Sequence, residues 1–162
     1  MPEPSVPSYP AAERIKEWLR RAGFELAVPP LEAGLAWALV FTGDSGIPVL
    51  VCARSSDPAA PLIQIRMGAA PQQIAQLDRL RRAREDFVRA LRSLLLKHHV
   101  EFELVPERGV VVARQLYSDG LSEDRFWRDV TAVRCAALDA MLHYEQHLGG
   151  GALPAEAFLK PN

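Results

Sequence analysis

"GLAWALVFTGDSGIPVLVCAR", residues 34–54, decides the fold. Two apolar runs, about 35–42 and 47–54, flank a Gly-Asp-Ser-Gly tetrapeptide. Residues of those types turn a chain sharply, so the spacing predicts two antiparallel strands joined by a tight hairpin. Side chains of a strand alternate between the two faces of its sheet. Leu35, Trp37, Leu39 and Phe41 therefore point one way, and Ala36, Ala38 and Val40 the other. The bulky row suits a core beneath helices. The small row is apolar as well, and so are both sides of "IPVLVCA", which sets Leu50 and Cys52 on one of them.

Moving outward, the loop "SSDPAAP" leads to "LIQIRM", a third hairpin-linked strand with Ile63, Ile65 and Met67 set against Gln64 and Arg66. Further on, "VEFELV" and "GVVVARQLY" form another hairpin through Pro106–Gly109. There Val100, Phe102 and Leu104 alternate with Glu101 and Glu103. These outer strands have the pattern of half-solvated sheet. A short extended piece near Glu25–Val28 stops at Pro29-Pro30.

Three segments carry helical periodicity. From Pro10 to Ala22, Ile15, Trp18, Leu19 and Ala22 recur at three and four, and Gly23 supplies a left-handed stop with Phe24 folding back. A second helix spans about Pro71 to His98, with proline in its first turn. Its stripe runs through Ile74, Leu77, Leu80, Ala83 or Arg84, Phe87, Leu91, Leu94 and Leu95. A third runs from Ser122 to about His147, with Phe126, Val130, Val133, Ala137, Met141 and Leu142 on one side. At its start, Asp119-Gly120 predicts an exit from the strand through a positive φ, and Ser122 is placed to cap. Glu123 and Asp124 set negative charge at the positive end of the helix dipole, and Leu121 can staple onto Phe126 or Trp127.

The element order α-β-β-β-α-β-β-α, with mostly hairpin connections, gives an α+β class. The expected architecture is an antiparallel five-stranded sheet with helices packed mainly on one face. Residues 1–9, with three prolines, read as a flexible lead. Residues 10–148 form a single domain, and 149–162 a glycine-rich linker and tail in which Leu153, Phe158 and Leu159 are suited to docking on a neighbour.

Totals narrow the function. A formal net charge of −1 leaves no whole-molecule field to draw in nucleic acid or anionic lipid. The apolar runs are strand-sized, so no membrane span is expected, and "MPEPSVPSYP" lacks the basic and apolar regions of a secretory signal. Cys52 and Cys135 sit far apart within apolar runs, which fits reduced buried thiols of a cytoplasmic protein and leaves a disulfide open but unforced. No Walker loop, dinucleotide fingerprint, paired-cysteine motif or nucleophile elbow is present, so no catalytic residue and no cofactor is assigned. His143 and His147 stand four apart, close enough on a helix to share a metal, but a third ligand is not evident and the favourable helix C-terminus accounts for them. No metal site is assigned.

Two surfaces remain. Combining the strand faces gives a second side of the sheet with charged flanks around a shallow apolar centre: Ala36, Ala38, Val40, Leu50 and Cys52. Such a patch is seldom left bare. Either the second helix or a tail covers it, or a partner does, whether a second copy in a homodimer or an unidentified protein or peptide client. The other surface is the second helix, with seven basic and three acidic residues between Asp78 and Lys97. Arg79, Arg82, Arg89 and Arg92 make an alternative nucleic-acid surface. Against that reading, Asp78–Arg82 and Glu85–Arg89 are helix-stabilising pairs, and no aromatic residues interleave with the arginines to stack bases.

The element order and the segment "VVVARQLYSDGLSEDRFWRDVTAVRCAALDAML" resemble the type III secretion chaperone-like fold, including the YbjN-like bacterial proteins. Leu116, Leu121, Ser122, Glu123 and Asp124 carry the resemblance, which extends over about residues 10–148. It implies an α+β module acting as a homodimer, binding protein segments through apolar surface and carrying no catalytic residues. The near-neutral charge and the arginine-rich second helix depart from the acidic character of secretion chaperones. That favours a general binding or regulatory role in the YbjN-like style.

Overall fold

The structure is a computed structural model that describes residues 9–43, 46–54, 62–69, 81–105 and 109–148. The lead, the hairpin turn at 44–45, the 55–61 loop, the first part of the second helix including Arg79, and the tail lie outside these residues.

The helices and strands follow the sequence pattern closely. Helix α1 (Pro10–Arg21) buries Ile15 and Leu19 of the face that its periodicity marks, together with Ala11 and Ala12, while Trp18 is half-buried and Ala22, at the C-cap, is exposed. Gly23 adopts φ +84, and the Phe24 N–H reaches back to the Leu19 carbonyl at 3.0 Å, closing the helix as expected. Strands β1 (Leu26–Ala27), β2 (Leu35–Thr42), β3 (Pro48–Arg54) and β4 (Leu62–Ala69) come next. Helix α2 is described over Arg81–Leu95 and tightens into a 3₁₀ turn at Leu96–His98. His99, at φ 51, ends it in the left-handed region. Strands β5 (Glu101–Val105) and β6 (Gly109–Tyr117) form the second hairpin, and helix α3 (Glu123–Leu148) closes the domain.

The class is α+β, and every strand pairing is antiparallel. The sheet has six strands in the order β1-β2-β3-β4-β6-β5, one more than expected. The addition is the Leu26–Ala27 piece, which pairs with Phe41 and Val40. Two residues are too few to show a period, which is why it could be read as extended but not as part of the sheet.

The core lies on one face of this sheet. Leu39, Val51 and Ile65 stand opposite one another across β2, β3 and β4, as do Trp37, Ala53 and Ile63, and all six are buried. Helix α3 packs across β4 and β6, α1 on β1 and β2, and α2 against α3. At the β2 end an aromatic cluster clamps the layers. Phe24 meets Phe41 edge-on at 5.2 Å, Trp127 lies 5.7 Å from Phe24, and Trp18 lies 5.7 Å from Phe126.

Three local expectations need correction. The register of β2 shifts between Leu35 and Trp37, so Leu35 sits opposite Arg54 instead of continuing the Trp37 row. A bulge places two residues against one, which breaks the strict alternation. Gly120 is not among the positive-φ glycines; the chain leaves β6 through a 3₁₀ turn at Ser118–Gly120, with the Leu121 N–H on the Ser118 carbonyl at 3.3 Å. Leu142 is 54% exposed, because the buried stripe of α3 passes through Ala136, Ala140, His143 and Tyr144. The helix start matches the expectation: the Arg125 N–H donates to Ser122 Oγ at 3.3 Å, and Leu121 is buried. Glu123 also pairs with Arg21, tying the end of α1 to the start of α3.

Candidate functional site

On the sheet face away from the core, Ala38, Cys52, Gln64 and Gln115 form one row across β2, β3, β4 and β6. Val40, Leu50, Arg66, Ala113 and Glu101 form the next, now reaching β5. Each row runs from apolar to polar, so the charged flank foreseen from the alternation is real and lies on the β4–β5 side. Gln64, itself buried, accepts both Nε (3.0 Å) and Nη2 of Arg66. Gln115 donates to Glu101 at 3.0 Å.

The apolar centre is narrower than expected. Ala38 and Cys52 are already out of solvent in the single chain, at 3% and 0% exposure. Burial pushes the Cys52 thiol up in pKa, with Arg66 opposing. Ala36, displaced by the bulge, packs against the core cluster. A partner needs area that the free chain leaves open, so of the five residues only the half-buried Val40 and Leu50 can serve one here.

A concave opening lies elsewhere. Between α2 and β5 runs an open trough of about 950 Å³, lined by Glu85, Val88, Arg89, Arg92, Ser93, Leu96, Val100, Glu101, Phe102 and Leu104. Its origin is local. β5 ends the sheet, and among the described residues only β6 pairs with it. In α2, Phe87, Leu91 and Leu95 point into the core, which leaves Val88 and Arg92 on the flank toward β5. Leu96, at 68% exposure, stands at the lip. Val88, Val100, Phe102 and Leu104 are only partly buried against the core and give the trough an apolar floor.

Of the alternative arginine surface, Arg89 and Arg92 are exposed on this wall, and neither makes an ion pair among the described residues. Arg79 and the side chain of Arg82 lie outside them. His143 is buried and stacks on Phe87 at 5.1 Å, whereas the His147 side chain is not described. Among the described residues no group of three or more His, Cys, Asp and Glu side chains is placed to hold a metal. No helix there is long and apolar enough to cross a membrane.

Two ion-pair clusters had not been anticipated. Arg114, on the core row of β6, donates Nε to Asp129 at 2.7 Å and Nη1 to the His98 carbonyl at 3.1 Å. Asp139 receives His98 Nε2 at 2.6 Å and Lys97 Nζ at 2.8 Å, and these bonds hold its carboxyl below the usual range. Both clusters brace the 3₁₀ turn that leads into β5, so they fix one end of the trough. A signal for the first was present: Arg114 shares the period-two row of Val110, Val112 and Leu116, and Asp129 stands three after Phe126 and four before Val133. A charge on each inward face implies a partner on the other.

The family model described as "Uncharacterized conserved protein (DUF2299)" matches residues 11–143. The chain belongs to this family. The DUF2299 match spans both walls of the trough and both ion-pair clusters. The fold is similar to that in the "Crystal structure of an uncharacterized protein from Methanothermobacter thermautotrophicus", with a TM-score of 0.67 and 24% identity over 86% of this chain and 99% of that one. A search of curated proteins finds no match.

Proposed function

We propose that this chain is a non-enzymatic, cytoplasmic protein-binding module, chaperone-like or regulatory in the style implied by the type III secretion chaperone-like resemblance. The observation that carries the proposal is the trough between α2 and β5, where an apolar floor and an open strand edge lie side by side. Apolar area supplies affinity, and an unpaired edge supplies backbone donors and acceptors for an added segment. Pairing with a second copy belongs to the same reading, with Val40 and Leu50 as the apolar residues left for it on the second face. Two measurements test this. Light scattering of wild type and Leu50→Glu reports the dimer: equal masses, both monomeric, would remove it. Affinity capture from native cells with wild type and Leu96→Asp reports the trough: a partner set recovered equally by both would remove that surface.

A second reading has one observation in its favour: Arg89 and Arg92 are exposed and make no ion pair among the described residues. It predicts salt-sensitive binding of mixed DNA or RNA that Arg89→Ala and Arg92→Ala weaken. No binding at low salt would end it.

A further inference from the structure

We propose that the trough takes an extended segment of a partner protein as an added strand on β5, and that the segment alternates apolar with basic side chains. This rests on the protein-binding reading above and specifies its partner.

Strand chemistry comes first. In an antiparallel pair only alternate residues direct their N–H and C=O toward the neighbour, so roughly half of the backbone groups of β5 face away from β6. An added strand satisfies them, and its side chains then fall alternately on the two faces of the sheet. Those beside Phe102 and Leu104 enter the trough, where Val88, Leu96 and Val100 also wait. Those beside Glu101 and Glu103 lie on the opposite face.

Charge then selects the partner. Glu101 and Glu103 are both exposed, and neither has an ion pair among the described residues. Gln115 donates to Glu101, but a neutral amide leaves its charge uncompensated. Across the trough, Arg89 and Arg92 are exposed and without an ion pair among the described residues, whereas Glu85 on that wall is itself engaged. One face therefore favours lysine or arginine and the other disfavours them. A slip of one residue would set basic side chains under Arg89 and Arg92 and apolar ones in water beside the glutamates, so the same charges also fix register.

A second copy of β5 fits poorly. In the fully overlapping antiparallel register, Glu103 would face Glu103 of the other copy, and like charges directly opposite destabilise a pair. Charged residues on an exposed strand are a common guard against self-pairing. Here they turn the edge from one that recruits itself into one that recruits an opposite charge.

The test uses fluorescein-labelled acetylated hexapeptides and the full chain, read by fluorescence anisotropy at low and physiological salt. Alternating Val-Lys should bind saturably; alternating Val-Glu should not; and Val-Lys carrying N-methyl groups on alternate residues should lose binding, because its strand edge is blocked. Glu101→Gln with Glu103→Gln should weaken Val-Lys binding by about tenfold, the product of two cross-strand charge pairs, with an unchanged thermal melt. Tight binding of the N-methylated peptide, or no effect of the double substitution, would overturn the proposal. If Val-Glu or Val-Ser bound as well as Val-Lys and Leu96→Asp abolished it, charge selection would fall while the trough survived as a protein-binding site. If no peptide bound, both would fall.

Discussion

Removing the carboxylate of Asp129 is the sharpest perturbation this structure offers. Its side chain is 4% exposed and receives Arg114 Nε at 2.7 Å, while the Arg114 side chain keeps 27% exposure and a second bond to the His98 carbonyl. Breaking a fully buried pair from one side costs about 3–5 kcal/mol, because the remaining charge stays desolvated. Arg114 retains some water and one carbonyl, so Asp129→Ala should fall at the low end, about 3 kcal/mol, or roughly a hundredfold in the folded-to-unfolded ratio. Replacing both partners is a different matter. Arg114→Leu with Asp129→Leu leaves no orphaned charge and should lie within about 1 kcal/mol of wild type, since apolar replacements of buried pairs are often neutral. The assay is urea unfolding followed by circular dichroism on wild type, Arg114→Leu, Asp129→Leu and their double variant, read as a cycle, with Asp129→Ala measured beside them. A loss below about 1 kcal/mol for Asp129→Ala, the range of surface pairs, would refute the reasoning. So would a double variant as unstable as the sum of the singles, because the effect would then be packing and not charge.

Other consequences are quicker to check. The Asp139 carboxyl is held low by His98 and Lys97, so its contribution is complete above the ordinary carboxylate value of about 3.9 and fades as pH falls through the lower folded value. Asp139→Asn should cost about 1 kcal/mol at neutral pH and flatten that acid limb of a stability–pH curve. A thiol reagent should modify Cys135 at once in the native protein but Cys52 only on unfolding, since the first is exposed and the second buried with its pKa raised; stoichiometric native modification of both would contradict the burial. Gly23→Ala should destabilise by about 1–2 kcal/mol in a thermal melt, although open space surrounds it, because φ +84 penalises any Cβ.

Much of the scaffold can be read from the residues alone. The run from Leu35 to Arg54 announces its hairpin because two β-rich stretches flank residues that turn. Gly23 and Ser122 mark helix ends because each does one local job, a left-handed stop and a cap. Their partners lie within a few positions, where sequence spacing is itself geometry. The candidate site resists that kind of reading. The trough exists because β5 comes last in the sheet and α2 passes above it, an arrangement set by the crossover and not by any neighbouring residues. The acidic row of β5, Glu101 and Glu103, was visible on the face away from the trough, but only the strand order makes that strand an edge. The apolar patch was overestimated for a related reason. Alternation assigns Ala38 and Cys52 to a face without saying how much of that face the same chain conceals, and one bulge removed Ala36 from it. Asp139 shows the limit most plainly: its partners on the 3₁₀ turn come from a distant part of the chain, and no period connects them.

The pairing of β4 with β6 has a consequence for how the molecule assembles. Among the described strands it is the seam that joins the first hairpin system, β1 to β4, to the second, β5 and β6, matching Leu62 to Tyr117 and Ala69 to Val110 along its whole length. Each hairpin can zip from its own turn, whereas the seam must first bring distant stretches together at an entropic cost. Collapse should therefore begin as two independent ribbons and finish when Ile63 and Met67 meet Leu116 and Val112 beneath α3. Until that last step the long central strands stand as bare edges, the stage at which a newly made chain is most exposed to tangling with its neighbours.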